Sequence, residues 1–476
     1  MKVIKNYLYN ATYQLIAIIV PLITAPYVSR VLHAGGIGIN AYTNSVIQYF
    51  ILFAQFGVSL YGSKQIATVR NNKTFLSRNF WEIQIFKLIT TTIATIGTII
   101  FIFLYRKYTL YFFIQLINVI AVLFDISWFF SGLEQFKTIV VRNTIVRLLS
   151  VFLVFSLIKN SKQTGIYIFI LAISSLIGNL TLWPYLRGKI TFVKFKNLNF
   201  TKHFIPSLSL FIPTIATTIY MQLNKTMLGA FSGIKYAGYY YNSDQLIRAV
   251  LSLATSLGTV MLPHVAAAYA NGDQGKVNRL LINSFDSLSL VCMPMFLGMA
   301  AISTKLGPYF YGDGFSIVGK VMLMESPIII FIAWNNTIGN QFLIPTGMNS
   351  IFTKSVVYGA VFNIIANIPM IYFFNIYGAM LVTDASEAFV AIYQLISIRN
   401  IVPLKKLFVN IPKYFMASII MFIPVFTLNN YLPATIIFLI FEIIVGLGIY
   451  IITICVLRPS SVNILIDLIN RKDDKK

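Results

Sequence analysis

The stretch FIPTIATTIYMQLNKTMLGAF, residues 211–231, decides how the whole chain must be read. At 1.5 Å rise per residue its 21 residues are long enough to cross a hydrocarbon core of about 30 Å. Yet it carries an ammonium group, Lys225, next to the amide of Asn224. Apolar stretches of this kind recur from end to end. The chain is 57% hydrophobic and 11% charged, less than half of the roughly one quarter charged residues that cover a water-soluble domain. Its mean hydropathy is +0.77. The fold class expected is an all-α polytopic membrane protein, because a β-barrel would show shorter segments of alternating polarity.

Cutting the chain at charge clusters, Gly/Asn/Pro punctuation and apolar restarts gives about 14 spans: 7–32, 37–63, 88–104, 110–131, 138–158, 165–186, 204–231, 238–263, 281–303, 320–343, 355–374, 377–398, 414–430 and 433–457. The first is too long and too tyrosine-rich for a cleaved signal peptide and is expected to remain as a span. The two cysteines, Cys292 and Cys455, fall inside spans and read as small apolar side chains. With the N-terminus placed in the cytoplasm, and with 132–147 and 304–320 counted whole as connections, 27 of the 37 Lys and Arg fall in cytoplasmic connections, 7 in outer ones and 3 within spans. That asymmetry is the positive-inside pattern. It also accounts for the net charge of +23 through topology and contact with anionic membrane lipids, without nucleic acid. The expected location is the bacterial cytoplasmic membrane, multi-pass, with both termini in the cytoplasm. The outer connections are too short for an extracellular domain, so whatever the chain does is done within the membrane.

Three patterns recur in the same order about 200 residues apart. YTNS at 42–45 echoes YYNS at 240–243, and ATVRNNKTFLSR at 67–78 echoes AYANGDQGKVNR at 268–279. WFFSGLEQF at 128–136 echoes WNNTIGNQF at 334–342. The expected organisation is a parallel repeat of two six-helix lobes, 1–199 and 200–400, followed by spans 13–14 and a basic cytoplasmic tail over 401–476. Paired prolines, Pro21 with Pro26 and Pro206 with Pro213, open each proposed half and are expected to bend those helices.

An ionised side chain at the bilayer centre costs about 2.5–3.5 kcal/mol on insertion scales. Arg30, Lys225 and Arg248 are placed at that cost. Snorkelling to head groups is one account of Arg30 and Lys225, and pairing with Asp244 one turn earlier is one account of Arg248. A shared cationic cavity that attracts an anion, phosphate above all, accounts for all three. Acidic residues in spans are Asp125, Asp244, Asp286, Glu325, Asp384, Glu387 and Glu442. Asp384 and Glu387 lie one turn apart and face Asn363 and Asn367, a set suited either to Na+ or H+ coupling or to plain helix–helix contact. Asn224, Asp244 and Asp125 are candidate polar groups of the cavity. No Gly-rich phosphate loop, metal-ligand cluster or nucleophile triad is present, and His33, His203 and His264 sit at span ends and read as interfacial.

These residues carry a resemblance. The opening NYLYNATYQLIAIIVPLITAPYVSRVLHAGGIGINAYTNSV (6–46), FDISWFFSGLEQFK (124–137), PTIATTIYMQLNKTMLG (213–229) and GYYYNSDQLIRAVLSLATSLGTVMLP (238–263) are similar to bacterial repeat-unit flippases of the Wzx type. Those belong to the polysaccharide transporter family of the multidrug/oligosaccharidyl-lipid/polysaccharide flippase superfamily. The resemblance covers spans 1–10 well and the last four in general character. It implies two lobes about a cationic central cavity, no enzymatic activity, and an undecaprenyl-diphosphate-linked oligosaccharide as substrate. The lipid would be turned to the outer leaflet for capsule, exopolysaccharide or O-antigen assembly, with a polymerase and other assembly proteins as partners. It also implies that Arg30, Lys225 and Arg248 meet the diphosphate. One departure stands out: LNKTM here replaces the usual LDKTM, so Asn224 takes an aspartate's place and Lys225 lacks an adjacent counter-charge. The competing readings are a cation-coupled drug or metabolite antiporter of the same superfamily, and a membrane polymerase or glycosyltransferase of the same pathway.

Overall fold

The computed structural model describes residues 2–194, 196, 198–258 and 261–459; the basic tail beyond them lies outside the described residues. Every regular element among the described residues is helical. The chain divides into two compact units, Met1–Gly238 and Tyr239–Lys476.

The first unit holds α1 (Lys2–Gln55), α2 (Val58–Val69), α3 (Lys73–Tyr105), α4 (Thr109–Phe124), α5 (Ser127–Gly132), α6 (Phe136–Leu157), α7 (Thr164–Leu180) and α8 (Phe204–Met227). A helix of 54 residues would extend about 81 Å, far beyond a bilayer. It is interrupted instead at His33, whose φ of 55° and ψ of 176° are not helical. On either side of that break the chain meets the ends of other spans: Tyr27 donates to the Ile158 carbonyl just past α6, and Tyr42 donates to the Tyr105 hydroxyl at the end of α3. Thus α1 comprises two limbs, as expected from the break placed between 32 and 37. Helix α8, which the sequence expectation gives to the second lobe, packs in this unit against α1 and α2. It bends by 47° at residue 213, the position of a proline, which removes one helical hydrogen bond.

The third span begins earlier than residue 88. Asn72 caps α3 by accepting from the Thr74 and Phe75 amides, which extends the helix back to Lys73 and places Glu82 and Lys87 inside it. Both are fully buried. Glu82 is a hub at which the connection to α8 is clasped. It accepts from Arg78 Nε at 2.9 Å, Lys202 Nζ at 2.5 Å, His203 Nε2 at 3.2 Å and the Asn199 amide at 2.9 Å. Tyr61 completes the clasp through His203 Nδ1 at 2.6 Å. His203, read as interfacial from its place at a span end, is therefore a core residue. Glu82→Gln is expected to lower stability by about 1.5–3 kcal/mol, the worth of hydrogen bonds to a charged group. A lower thermal transition in detergent and faster proteolysis over 187–200 would be seen; unchanged behaviour in both would show that the clasp does not hold this connection.

The second unit begins within α9 (Ile234–Gly258). It continues with α10 (Met261–Ala270), α11 (Gln274–Tyr311), α12 (Ser316–Glu325), α13 (Ile328–Asn335), α14 (Asn349–Ile398), α15 (Leu404–Phe408), α16 (Ile411–Tyr431) and α17 (Ile436–Leu457). In a straight α14, Ser355 and Gln394 would be about 58 Å apart. They are joined by a hydrogen bond of 2.9 Å, and Asn363 donates to Ser386 at 3.0 Å. Both pairs are symmetric about Asn375, whose φ is 51°. Helix α14 is therefore an antiparallel hairpin of two limbs, matching the break placed between 374 and 377. Helices α12 and α13 form a further broken segment, bent by 49° at Pro327.

Among the described residues nine helical segments are long and apolar enough to cross a membrane, or eleven if each bent pair is one span. The segments Ile19–Val69 and Asn349–Ile398 each count once in that number while containing the His33 and Asn375 breaks. The repeated tryptophans make the same contact in each unit. Trp128 stacks on Phe80 at 5.6 Å and 20°, and Trp334 stacks on Phe285 at 5.3 Å and 23°. Polar contacts join α16 to α11 on one side and to α17 on the other, and explain two of the acids in spans. Asp286 accepts from Asn410 and the Tyr414 hydroxyl, and Glu442 accepts from Asn429. Each such bond between spans is worth about 0.6–2 kcal/mol.

Candidate functional site

In the first unit, Arg30 is exposed on α1 one turn before the His33 break, next to buried Val28 and Ser29. Lys225 is half-buried in the last turn of α8, and Asn224 beside it is buried. That turn is fixed by its neighbour. The Thr226 hydroxyl donates to Ser45 Oγ at 2.9 Å and lies 3.2 Å from the Tyr49 hydroxyl, so the last residue of the YTNS motif anchors the lysine's helix. Immediately after it the helix widens to an i→i+5 turn over Leu228–Ser232, closed by the Gly233 amide on the Leu228 carbonyl. A Cβ at Gly229 would stand 2.2 Å from the Tyr42 ring, so only glycine permits this approach. Asp125 is engaged locally: its carboxylate caps α5 through the Ser127 amide, and its carbonyl accepts from buried Lys87.

In the second unit, Arg248 Nε donates to Asp244 Oδ1 at 2.5 Å, with the arginine side chain 34% exposed and the aspartate 12%. The pairing one turn apart is thus realised, and the arginine side chain stays partly exposed. The Ser243 hydroxyl, last in the YYNS motif, donates to fully buried Glu325. Asn335 Nδ2 donates to Glu387 Oε2 at 2.6 Å, and Asn367 donates to Asn363 at 2.8 Å. Glu387 acts electrostatically on Arg248 and on Asp384, while Asp244 and Asp384 act on Glu325. One guanidinium is thus linked electrostatically, directly or through one another, with four acidic residues, of which Asp244 is its ion-pair partner. Among the described residues no group of three or more His, Cys, Asp or Glu has the geometry to hold a metal ion. Glu325 and Lys87 are the residues sequence reasoning did not assign to a site; an ionisable residue within a span is itself the signal, but Lys87 was hidden by placing the start of the third span at 88.

The same unit contains an apolar cavity of about 580 Å³ between α9, α11, α16 and α17. Val250, Leu290, Met295, Met421 and Ile451 are typical of its wall. Its two polar side chains are both satisfied, Glu442 by Asn429 and the Tyr450 hydroxyl by the Leu290 carbonyl.

Broken spans, charges embedded among them and a hydrocarbon-sized cavity define a multi-pass membrane transporter fold. The chain belongs to the polysaccharide biosynthesis protein family, whose model matches residues 3–268. It is 22% identical over 406 residues to the "Putative O-antigen transporter" of Escherichia coli strain K12, an alignment covering 83% of this chain and 96% of that one. Among solved structures it resembles the lipid II flippase MurJ in its inward closed conformation, with a TM-score of 0.73 at 14% identity over 95% of this chain and 98% of that one. It also resembles an inward-facing multidrug resistance MATE family transporter, with a TM-score of 0.61 at 11% identity, covering 80% and 95%. At these identities the structural likeness speaks for the fold.

Proposed function

We propose that this protein turns undecaprenyl-diphosphate-linked oligosaccharide repeat units from the cytoplasmic to the outer leaflet of the bacterial cytoplasmic membrane, for O-antigen, capsule or exopolysaccharide assembly. It does so by alternating access, as a transporter and not an enzyme, with both termini in the cytoplasm. The observation that carries this reading is on α9. That helix presents a partly exposed arginine, Arg248, and two residues further Val250 borders the apolar cavity. An amphiphile with an anionic head and a long hydrocarbon tail answers both features. Family membership and the O-antigen transporter likeness support a glycan as the cargo.

Arg30, Lys225 and Arg248 are the groups proposed to take the diphosphate, through charge-assisted hydrogen bonds. Outward movement of an anion is favoured by an inside-negative potential by about 2.3 kcal/mol per charge per 100 mV. Asp384 and Glu387, supported by Asn335, Asn363 and Asn367, are the proposed site of H+ or Na+ coupling.

The test is transfer of a fluorescent polyprenyl-diphosphate oligosaccharide in proteoliposomes, read by a membrane-impermeant quencher. Protein-dependent access to both leaflets is expected, and its absence overturns the reading. The four acidic residues linked electrostatically with Arg248 favour a second reading, cation-coupled antiport of a cationic drug; ion-dependent drug efflux with no lipid transfer would establish it instead.

A further inference from the structure

A pocket of about 440 Å³ in the first unit lies between α6 and the C-terminal end of α7, formed by residues that the transport reading does not use. Lys137 and Arg142 supply two cations to its wall, and Thr138, Thr181 and Tyr185 supply three hydroxyls. No carboxylate lines it, although Asp125 and Arg142 interact electrostatically. Lys137 and Thr138 belong to the first turn of α6, where main-chain N–H groups and the helix dipole add further positive character. Arg142 reaches across to α7, where its Nη1 donates to Asn179 at 3.4 Å. Gly178 leaves it room, since a Cβ there would stand 3.3 Å from the same nitrogen.

Beyond the pocket, α6 exposes Ile145, Leu148, Leu149 and Phe152, each more than half accessible. Among the nine spanning segments this helix is the least buried, so this side of it faces hydrocarbon. A cationic, hydroxyl-lined pocket at one end of an apolar helix face has the shape of a phosphate with chains attached, not of a free ion.

The geometry points to a binding site for an anionic glycerophospholipid, its headgroup phosphate between Lys137 and Arg142 and its acyl chains along Val141, Ile145 and Leu149. The hydroxyls donate to the remaining phosphate and headgroup oxygens. Such a lipid would be a fixed companion of α6 and would persist whatever cargo the protein moves.

The experiment is native mass spectrometry of the full chain released from nanodiscs of phosphatidylglycerol and phosphatidylcholine in equal parts. The wild type is expected to retain phosphatidylglycerol about ten- to thirtyfold over phosphatidylcholine, as two basic groups near a membrane surface would provide. Lys137→Glu should cut that preference to about threefold or less while leaving the fold intact, because Lys137 is exposed and an acidic residue suits the first turn of a helix. Arg142→Gln should act likewise, and Arg142→Lys should keep most of the preference. Equal retention by wild type and Lys137→Glu would overturn the assignment. Displacement of the lipid by millimolar inorganic phosphate would assign the pocket to a free anion and overturn it equally.

Discussion

Arg248→Ala is expected to stop export of the lipid-linked glycan, and a double substitution separates the two reasons it could do so. The first reason is structural. Arg248 is the ion-pair partner of Asp244 at 2.5 Å, and removing one member of this partly buried pair leaves the other charge in a poorly solvated place, which destabilises the fold. The second is functional: truncating one partner of a charge-assisted contact to cargo costs about 2–5 kcal/mol of binding, or thirtyfold and more. Arg248→Gln combined with Asp244→Asn removes both charges and keeps the shapes. It should restore membrane insertion and thermal stability to near the wild-type level, yet leave surface polysaccharide in a complemented deletion strain about thirtyfold or more below it. Wild-type polysaccharide from the double variant would take Arg248 out of the phosphate-binding set and leave it a structural role.

Gly378→Val is expected to remove the folded protein altogether. Gly378 follows the Asn375 reversal, and a Cβ at this position would stand 2.0 Å from the Met370 carbonyl oxygen and 2.5 Å from its carbon. Those are main-chain atoms of the opposing limb, so no rotamer change relieves the clash. The limbs of α14 would have to part, and with them the Ser355–Gln394 and Asn363–Ser386 hydrogen bonds. The cost should exceed the roughly 3 kcal/mol of ordinary overpacking. Gly378→Ala should already be severe, whereas Gly448→Ala, where a Cβ meets nothing within 4 Å, should change little. Size-exclusion profiles in detergent report this directly; a monodisperse Gly378→Val protein would show that the hairpin tolerates separation.

Much of the architecture was legible before any coordinates. Hydrocarbon cannot hydrogen-bond a bare peptide group, so spanning segments must be helices about 20 residues long. Their length therefore exposes the breaks: the expected gaps at 32/37 and 374/377 contain His33 and Asn375, the two non-helical positions. The tryptophan echo was legible too, because Trp128 and Trp334 recur for one packing reason, a ring stacked on a phenylalanine of an earlier helix. The start of α3 was not, since the polar residues of 73–87 read as a loop, and only Asn72 capping and the Glu82 clasp show why they are helical and partly buried.

For the site, the amino-acid sequence alone placed Arg30, Lys225, Arg248 and seven acids within expected spans, where charge is costly enough to need a reason; α9, which carries Asp244 and Arg248, is not among the described segments apolar enough to cross. Only the tertiary structure decided which reason applies to several of them. Asp286 and Glu442 join helices, Asp125 accepts from the first amide of one, Asp244 pairs with the partly exposed Arg248, and Glu387 accepts from Asn335. The cause is physical. A low-dielectric interior obliges every charge to find a partner, but Asp286 finds its partners more than 120 residues away, and no local pattern records a contact that the packing of helices creates.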